Sequence, residues 1–96
     1  GGNRVAALIY GPRQVIVVAG MNKVVKTLDD AIRRTRTVAS PKNQQRFPSH
    51  KTPCTVNGSC GDCVSPDCIC SYLTITRMSN PAGRIKVILI NEELGL

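Results

Sequence analysis

Aromatic residues are nearly missing from this 96-residue chain: there is no Trp, and Tyr10, Phe47 and Tyr72 are the whole set. An interior must therefore come from Val, Ile, Leu and Ala, which the 42% hydrophobic content allows. Single-stranded nucleic acid would find little to stack on. Histidine occurs once, at His50, and no Ser/His/Asp set, paired carboxylates, G-x-G-x-x-G or P-loop is present. Zinc-finger spacing for a recognition helix is absent as well. No run approaches the roughly 18 apolar residues that span a bilayer, and no signal peptide is visible. The first residue is Gly, not Met, so a processed start or a piece of a longer protein is expected. Acidic residues number 6 against 13 Lys and Arg, a net charge of +7. Outside residues 54–70 the chain has no cysteine.

What is present begins with two apolar runs, VAALIY (5–10) and QVIVVA (14–19), split by a Gly-Pro turn. Continuous β-branched runs predict strands covered on both faces, and the short connection predicts a hairpin. Next, Leu28, Ala31, Ile32, Thr35, Val38 and Ala39 fall at helical spacing. Thr27 is placed to cap that helix, Asp29 and Asp30 occupy its first turn, and the later Arg33, Arg34 and Arg36 suit its dipole and read as a solvated face. Pro41 is expected to end it. SYLTITR (71–77) alternates as a half-buried strand does, and RIKVILI (84–90) predicts another strand. The expected order is strand, strand, helix, cysteine loop, strand, strand: a single α/β domain.

All five cysteines lie in PCTVNGSCGDCVSPDCIC (53–70). The spacing is Cys54-x5-Cys60-x2-Cys63-x4-Cys68-x-Cys70. A C-x2-C pair lets two thiolates converge on one ion, and Cys54 with Cys68 or Cys70 would complete four-sulfur ligation of zinc or of an iron–sulfur cubane. A structureless loop of about 30 residues is uncommon in a compact domain, so a metal staple over 51–70 gives it a reason to hold its shape. Disulfides suit the odd count and the absent secretory signal poorly, and free structural thiols suit the clustering poorly. Ionising four cysteines around a dication would lower the net charge to about +5. His50 is then a loop histidine. A basic four-thiolate module could instead bind nucleic acid, a reading that the scarce aromatics disfavour.

Taken together, GNRVAALIYGPRQVIVVAGMNKVVKTLDDAI, KTPC with GSCGDC and SPD-x-IC, and GRIKVILINEELG resemble the lactate utilisation (LUD) domain family, in a branch of small proteins from anaerobic bacteria. The resemblance runs over all 96 residues and is to the C-terminal half of that domain. It implies part of a NagB/RpiA/CoA transferase-like fold, a layered α/β sheet with few helices. It implies a cytoplasmic protein associated with oxidation of lactate or a similar 2-hydroxy acid. The branch pattern T-P-C…C-x-x-C-x-S-P-x-x-I-C falls on Cys54, Cys60, Cys63 and Cys70 and leaves Cys68 as an extra thiol. The link of related proteins to iron–sulfur systems favours a 4Fe–4S cluster over zinc, with a redox partner protein. A non-catalytic subunit with structural zinc is the alternative. Absence of the N-terminal half implies a homo-oligomer or association with that half, because half a sheet leaves open edges.

A small carboxylate has a possible seat beyond the second strand. Gly20 lets backbone N–H groups approach an anion, and Asn22 and Lys23 follow it; Asn3 and Arg4 form a similar edge before the first strand. A strand-to-helix turn with a surface lysine is the plainer reading of the same residues.

Overall fold

A computed structural model of the chain describes residues 2–96. Its elements are α1 (Gly2–Ile9), β1 (Val15–Gly20), a 3-10 turn (Met21–Lys23), α2 (Leu28–Arg34), a π turn (Thr35–Ala39), α3 (Ser40–Gln44), α4 (Pro53–Asn57) and β2 (Ile85–Ile90). Mixed helices and a small parallel sheet make this an α/β fold. The chain forms two compact units. One runs to Lys23 and resumes over Tyr72–Gly95; the other is Val24–Ser71 with Leu96.

The first unit is built on β1 and β2, which pair in parallel from Val15↔Ile85 to Gly20↔Ile90. The hairpin expected between 5–10 and 14–19 is overturned: residues 5–9 are helix, in α1. An unbroken apolar run fits a buried strand or a helix equally by periodicity, and Ala6, Ala7 and Leu8 are strong helix formers. Arg84 then fixes where α1 ends. Its guanidinium donates from Nε to the Pro12 carbonyl (2.8 Å), from Nη1 to Leu8 (2.7 Å) and from Nη2 to Ala7 (3.0 Å). Two of these acceptors are carbonyls of the last helical turn, which have no partner inside the helix. A cation there also meets the negative end of the helix dipole. Arg84 is 9% exposed, and its backbone leads straight into β2, with Val15 N–H donating to its carbonyl at 2.8 Å. One residue thus joins helix end, turn and sheet.

Residues 71–77, expected as a strand, join no ladder among the described residues. Alternation supplies a face, but a strand also needs a neighbour to take its N–H and C=O groups. The strand expected at 84–90 is present as β2. On the sheet, Ile16, Val18, Val87 and Ile88 are each at least half exposed, and among the described residues no Val, Ile, Leu, Met, Phe or Tyr side chain is buried. Apolar residues therefore lie on both faces of the ladder, the pattern of a sheet meant to be covered twice.

The second unit starts as expected. Thr27 caps α2, its Oγ1 accepting from Asp30 N–H at 3.1 Å and donating to Asp30 Oδ2 at 2.8 Å. The expected stop at Pro41 is corrected: helical backbone runs on to Gln44. In an α-helix the proline ring would strike the carbonyl four residues back, at Thr37. Here the ladder has already shifted to the wider π spacing, with Ser40 N–H on the Thr35 carbonyl. Such a bulge loosens the turn where the ring must fit.

Candidate metal centre

The wall of the site is assembled from buried polar groups rather than from a hydrophobic interior. Gln44, at the end of α3, is the most buried of them, 1% exposed. Its amide donates to His50 Nδ1 (2.9 Å) and to the Asp67 carbonyl (3.1 Å). His50 also stacks on Phe47, ring centres 4.8 Å apart, which accounts for it as a wall residue. Asp67 accepts from Lys51 N–H at 2.8 Å, and its own N–H donates to Ser65 Oγ at 3.2 Å. Thr52, 2% exposed, shares its hydroxyl between Thr55 Oγ1 (2.7 Å) and Cys54 Sγ (3.2 Å). These bonds hold the two arms of the cysteine loop, 51–55 and 65–68, against α3. The Thr, Ser and Asp letters of the loop thus serve the backbone of the site.

Against that wall all five cysteines are free thiols and all five line one cavity of about 80 Å³. Cys54 stands near the start of α4, where Pro53 fits the first helical turn. Cys60 and Cys63 come from the C-x2-C turn, and Asp62 N–H donates to Cys60 Sγ at 3.4 Å. Cys68 Sγ lies 3.2 Å from Cys70 Sγ. Among the described residues no three Cys, His, Asp or Glu side chains stand in ligating geometry.

The C-x2-C turn is pinned by close packing. A Cβ on Gly61 would sit 2.7 Å from Pro53 Cβ and 2.9 Å from Pro53 Cγ. Pro53 is a rigid ring beside Cys54, so a larger residue must push the turn away. Gly61→Ala is expected to raise the alkylation rate of Cys60 and Cys54 by about tenfold, since overpacking of this kind costs about 1–3 kcal/mol and opens the loop locally. Mass-resolved labelling with iodoacetamide measures it; unchanged rates would show that the contact does not order the turn.

Arg36 is exposed, as the solvated-face reading has it, and also reaches the loop. Its Nη2 lies 3.2 Å from Asp62 Oδ1. A hydrogen bond to Cys60 holds the guanidinium above its usual pKa, reinforced by the charges of Asp62, Cys60 and Cys70. No helical periodicity could have announced this, because Arg36 and Asp62 are far apart in sequence. Arg33 pairs with Asp30 of its own helix at 2.6 Å, as the solvated-face reading has it. Cys60 also lines a wider cavity of about 370 Å³, with Arg33, Arg36 and Ile32 in its wall.

The residues considered for a carboxylate lie in the other unit. Asn22 Nδ2 donates to the Gly95 carbonyl at 3.2 Å, its Oδ1 accepts from Leu94 N–H at 3.4 Å, and Lys23 Nζ donates to the Leu94 carbonyl. Gly20 is approached so closely by the same segment that a Cβ would meet Glu92 O at 2.5 Å and Leu94 N at 2.6 Å. These three residues bind the C-terminal segment over the end of β1. Arg4 belongs to α1, and the side chain of Asn3 lies outside the described residues. None of the described helices is long and apolar enough to cross a membrane.

Comparison with known proteins gives one result. No curated protein and no solved structure matches the chain. The family model described as the LUD domain matches residues 1–90. The chain belongs to the lactate utilisation (LUD) domain family.

Proposed function

We propose that this LUD-family chain serves the oxidation of lactate or a similar 2-hydroxy acid, with Cys54, Cys60, Cys63 and Cys70 as the four ligands of a 4Fe–4S cluster in an electron-transfer or partner-docking role. The observation that supports it is the gathering of every thiol in the chain around one small cavity. The donor set fits: sulfur alone, with no carboxylate required, suits iron–sulfur clusters and zinc. The surroundings fit too. Four thiolates bring four negative charges; Asp62 N–H already donates to Cys60 Sγ, and the Arg36 guanidinium pairs with the Asp62 side chain beside it, the kind of outer contact that tunes a metal site. A bound cluster supplies one-electron chemistry; the chain supplies ligands, N–H donors and a cation.

The modest volume of the cavity favours a second reading, a structural zinc site in a subunit without catalysis of its own. Iron and sulfide analysis on anaerobically purified protein, with its visible spectrum, separates the two. A brown protein with about four iron and four sulfide per chain is expected; a colourless protein with one zinc would replace the cluster by the staple.

A further inference from the structure

We infer that Cys68 and Cys70 form a redox-modifiable thiol pair, whose oxidation to a disulfide withdraws Cys70 from the cage and keeps the site from taking metal. Cys68 has no part in the proposed ligand set, yet its sulfur is 3.2 Å from that of Cys70, and both line the same cavity as the other three cysteines. The contact is held by backbone. Cys68 N–H donates to the Ser65 carbonyl at 3.0 Å, and the Cys68 carbonyl accepts from Ser71 Oγ at 3.4 Å. Cys70 is exposed and Cys68 partly so, so a small oxidant reaches the pair. The cavity that gathers the other sulfurs thus has, at its open side, two thiols already in contact.

The oxidant class is a low-molecular-weight disulfide. The exposed Cys70 thiolate attacks one of its sulfurs, forming a mixed disulfide and expelling one small thiolate. The Cys68 thiolate then attacks the Cys70 sulfur and expels the second. Two protein thiols are oxidised by two electrons, one small disulfide is reduced to two thiols, and the two protons pass to those thiols. Excess small thiol runs the exchange backwards. A bound metal, by engaging Cys70, protects it; the metal-free chain is the form that responds. The effect on loading rests on the four-cysteine cage proposed above, whereas the disulfide itself does not.

The reduced, metal-free full chain is incubated without oxygen with oxidised glutathione, alkylated, and cut before Asp and after Lys or Arg. Residues 67–77 then form a peptide whose only cysteines are Cys68 and Cys70. In the wild type that peptide is expected to escape alkylation and to be about 2 Da light, the mass of two hydrogens. In Cys68→Ser the resolving thiol is gone, and glutathione is expected to remain attached at Cys70. Zinc, used as the probe metal, is expected to be retained at least about 100-fold less by the oxidised wild type than by the reduced protein, as for loss of any other ligand of the cage, and dithiothreitol is expected to restore it. Alkylation of both Cys68 and Cys70, or links to other cysteines, would overturn the inference while leaving the cage intact if the reduced chain takes zinc. Reduced wild type and reduced Cys68→Ser that both fail to take zinc would instead remove the cage, and with it the regulatory half of the inference.

Discussion

Arg84→Ala is expected to lower the stability of the helix–sheet unit by about 3–5 kcal/mol, enough to leave a chain of this size largely unfolded there. The side chain donates three hydrogen bonds to backbone carbonyls, at 2.7, 2.8 and 3.0 Å. A bond from a charged donor contributes about 1.5–3 kcal/mol, and a carbonyl left without a partner costs about 1–3 kcal/mol where water cannot reach it. Loss of a cation from the C-terminal end of α1 adds a few tenths to about 1 kcal/mol. The terms describe the same bonds and are not additive, so the expectation lies well below their sum, near the contribution of the three charged bonds at their weakest. Arg84→Lys should recover less than half, since one ammonium cannot address the carbonyls of Ala7, Leu8 and Pro12 with the planar geometry of a guanidinium. Urea unfolding followed by far-UV circular dichroism reads both variants. An Arg84→Ala midpoint equal to that of the parent would show that α1 does not depend on this cap.

Cys63→Ser is expected to abolish metal retention, a loss of at least about 100-fold in affinity. A serine oxygen is a hard, protonated donor, and soft thiolates are what select iron–sulfur clusters and zinc. Ligand removal should exceed the roughly 10–100-fold effect of losing an outer contact. Cys68→Ser serves as the matched control: it removes a thiol from the same cavity but not from the proposed ligand set, and reduced protein carrying it should keep its metal. Metal content per chain after desalting decides. Equal content in the two variants would mean that the sequence pattern has picked out the wrong four sulfurs.

Some of this architecture was legible before any coordinates. Thr27 followed by Asp30 marks a helix start chemically, and β2 follows from an apolar β-branched run with turn residues before it. Five cysteines in one loop are a local fact, so their shared cavity needed only the loop to fold back. What could not be read depends on partners distant in sequence. VAALI has the composition of a strand or a helix, and the decision lies with Arg84, about 75 positions away, which donates to the carbonyls of the helix end. Parallel pairing of β1 with β2 is likewise invisible to a local pattern that favours a hairpin. Pro41 breaks an α-helix but not one that has already widened into a π turn. Gln44 and Thr52, polar letters in an irregular stretch, gave no sign that they would be the most buried polar side chains among the described residues, because burial of polar groups depends on hydrogen-bond partners that sequence spacing does not reveal.

The parallel ladder has a consequence for how the chain finds its shape. Gly20 and Ile85 stand at opposite ends of a long insert, and pairing β1 with β2 closes that insert into a ring. For some 60 residues of free chain, closure costs about 4 kcal/mol in entropy by the logarithmic rule. Contacts with such separation also form slowly. Every residue of the insert that is ordered beforehand shortens the flexible part of the ring. Ligation of the cysteines, by fixing 54–70, would do this without touching the strands at all. Connectivity alone would then make the zipping of the ladder sensitive to the ion.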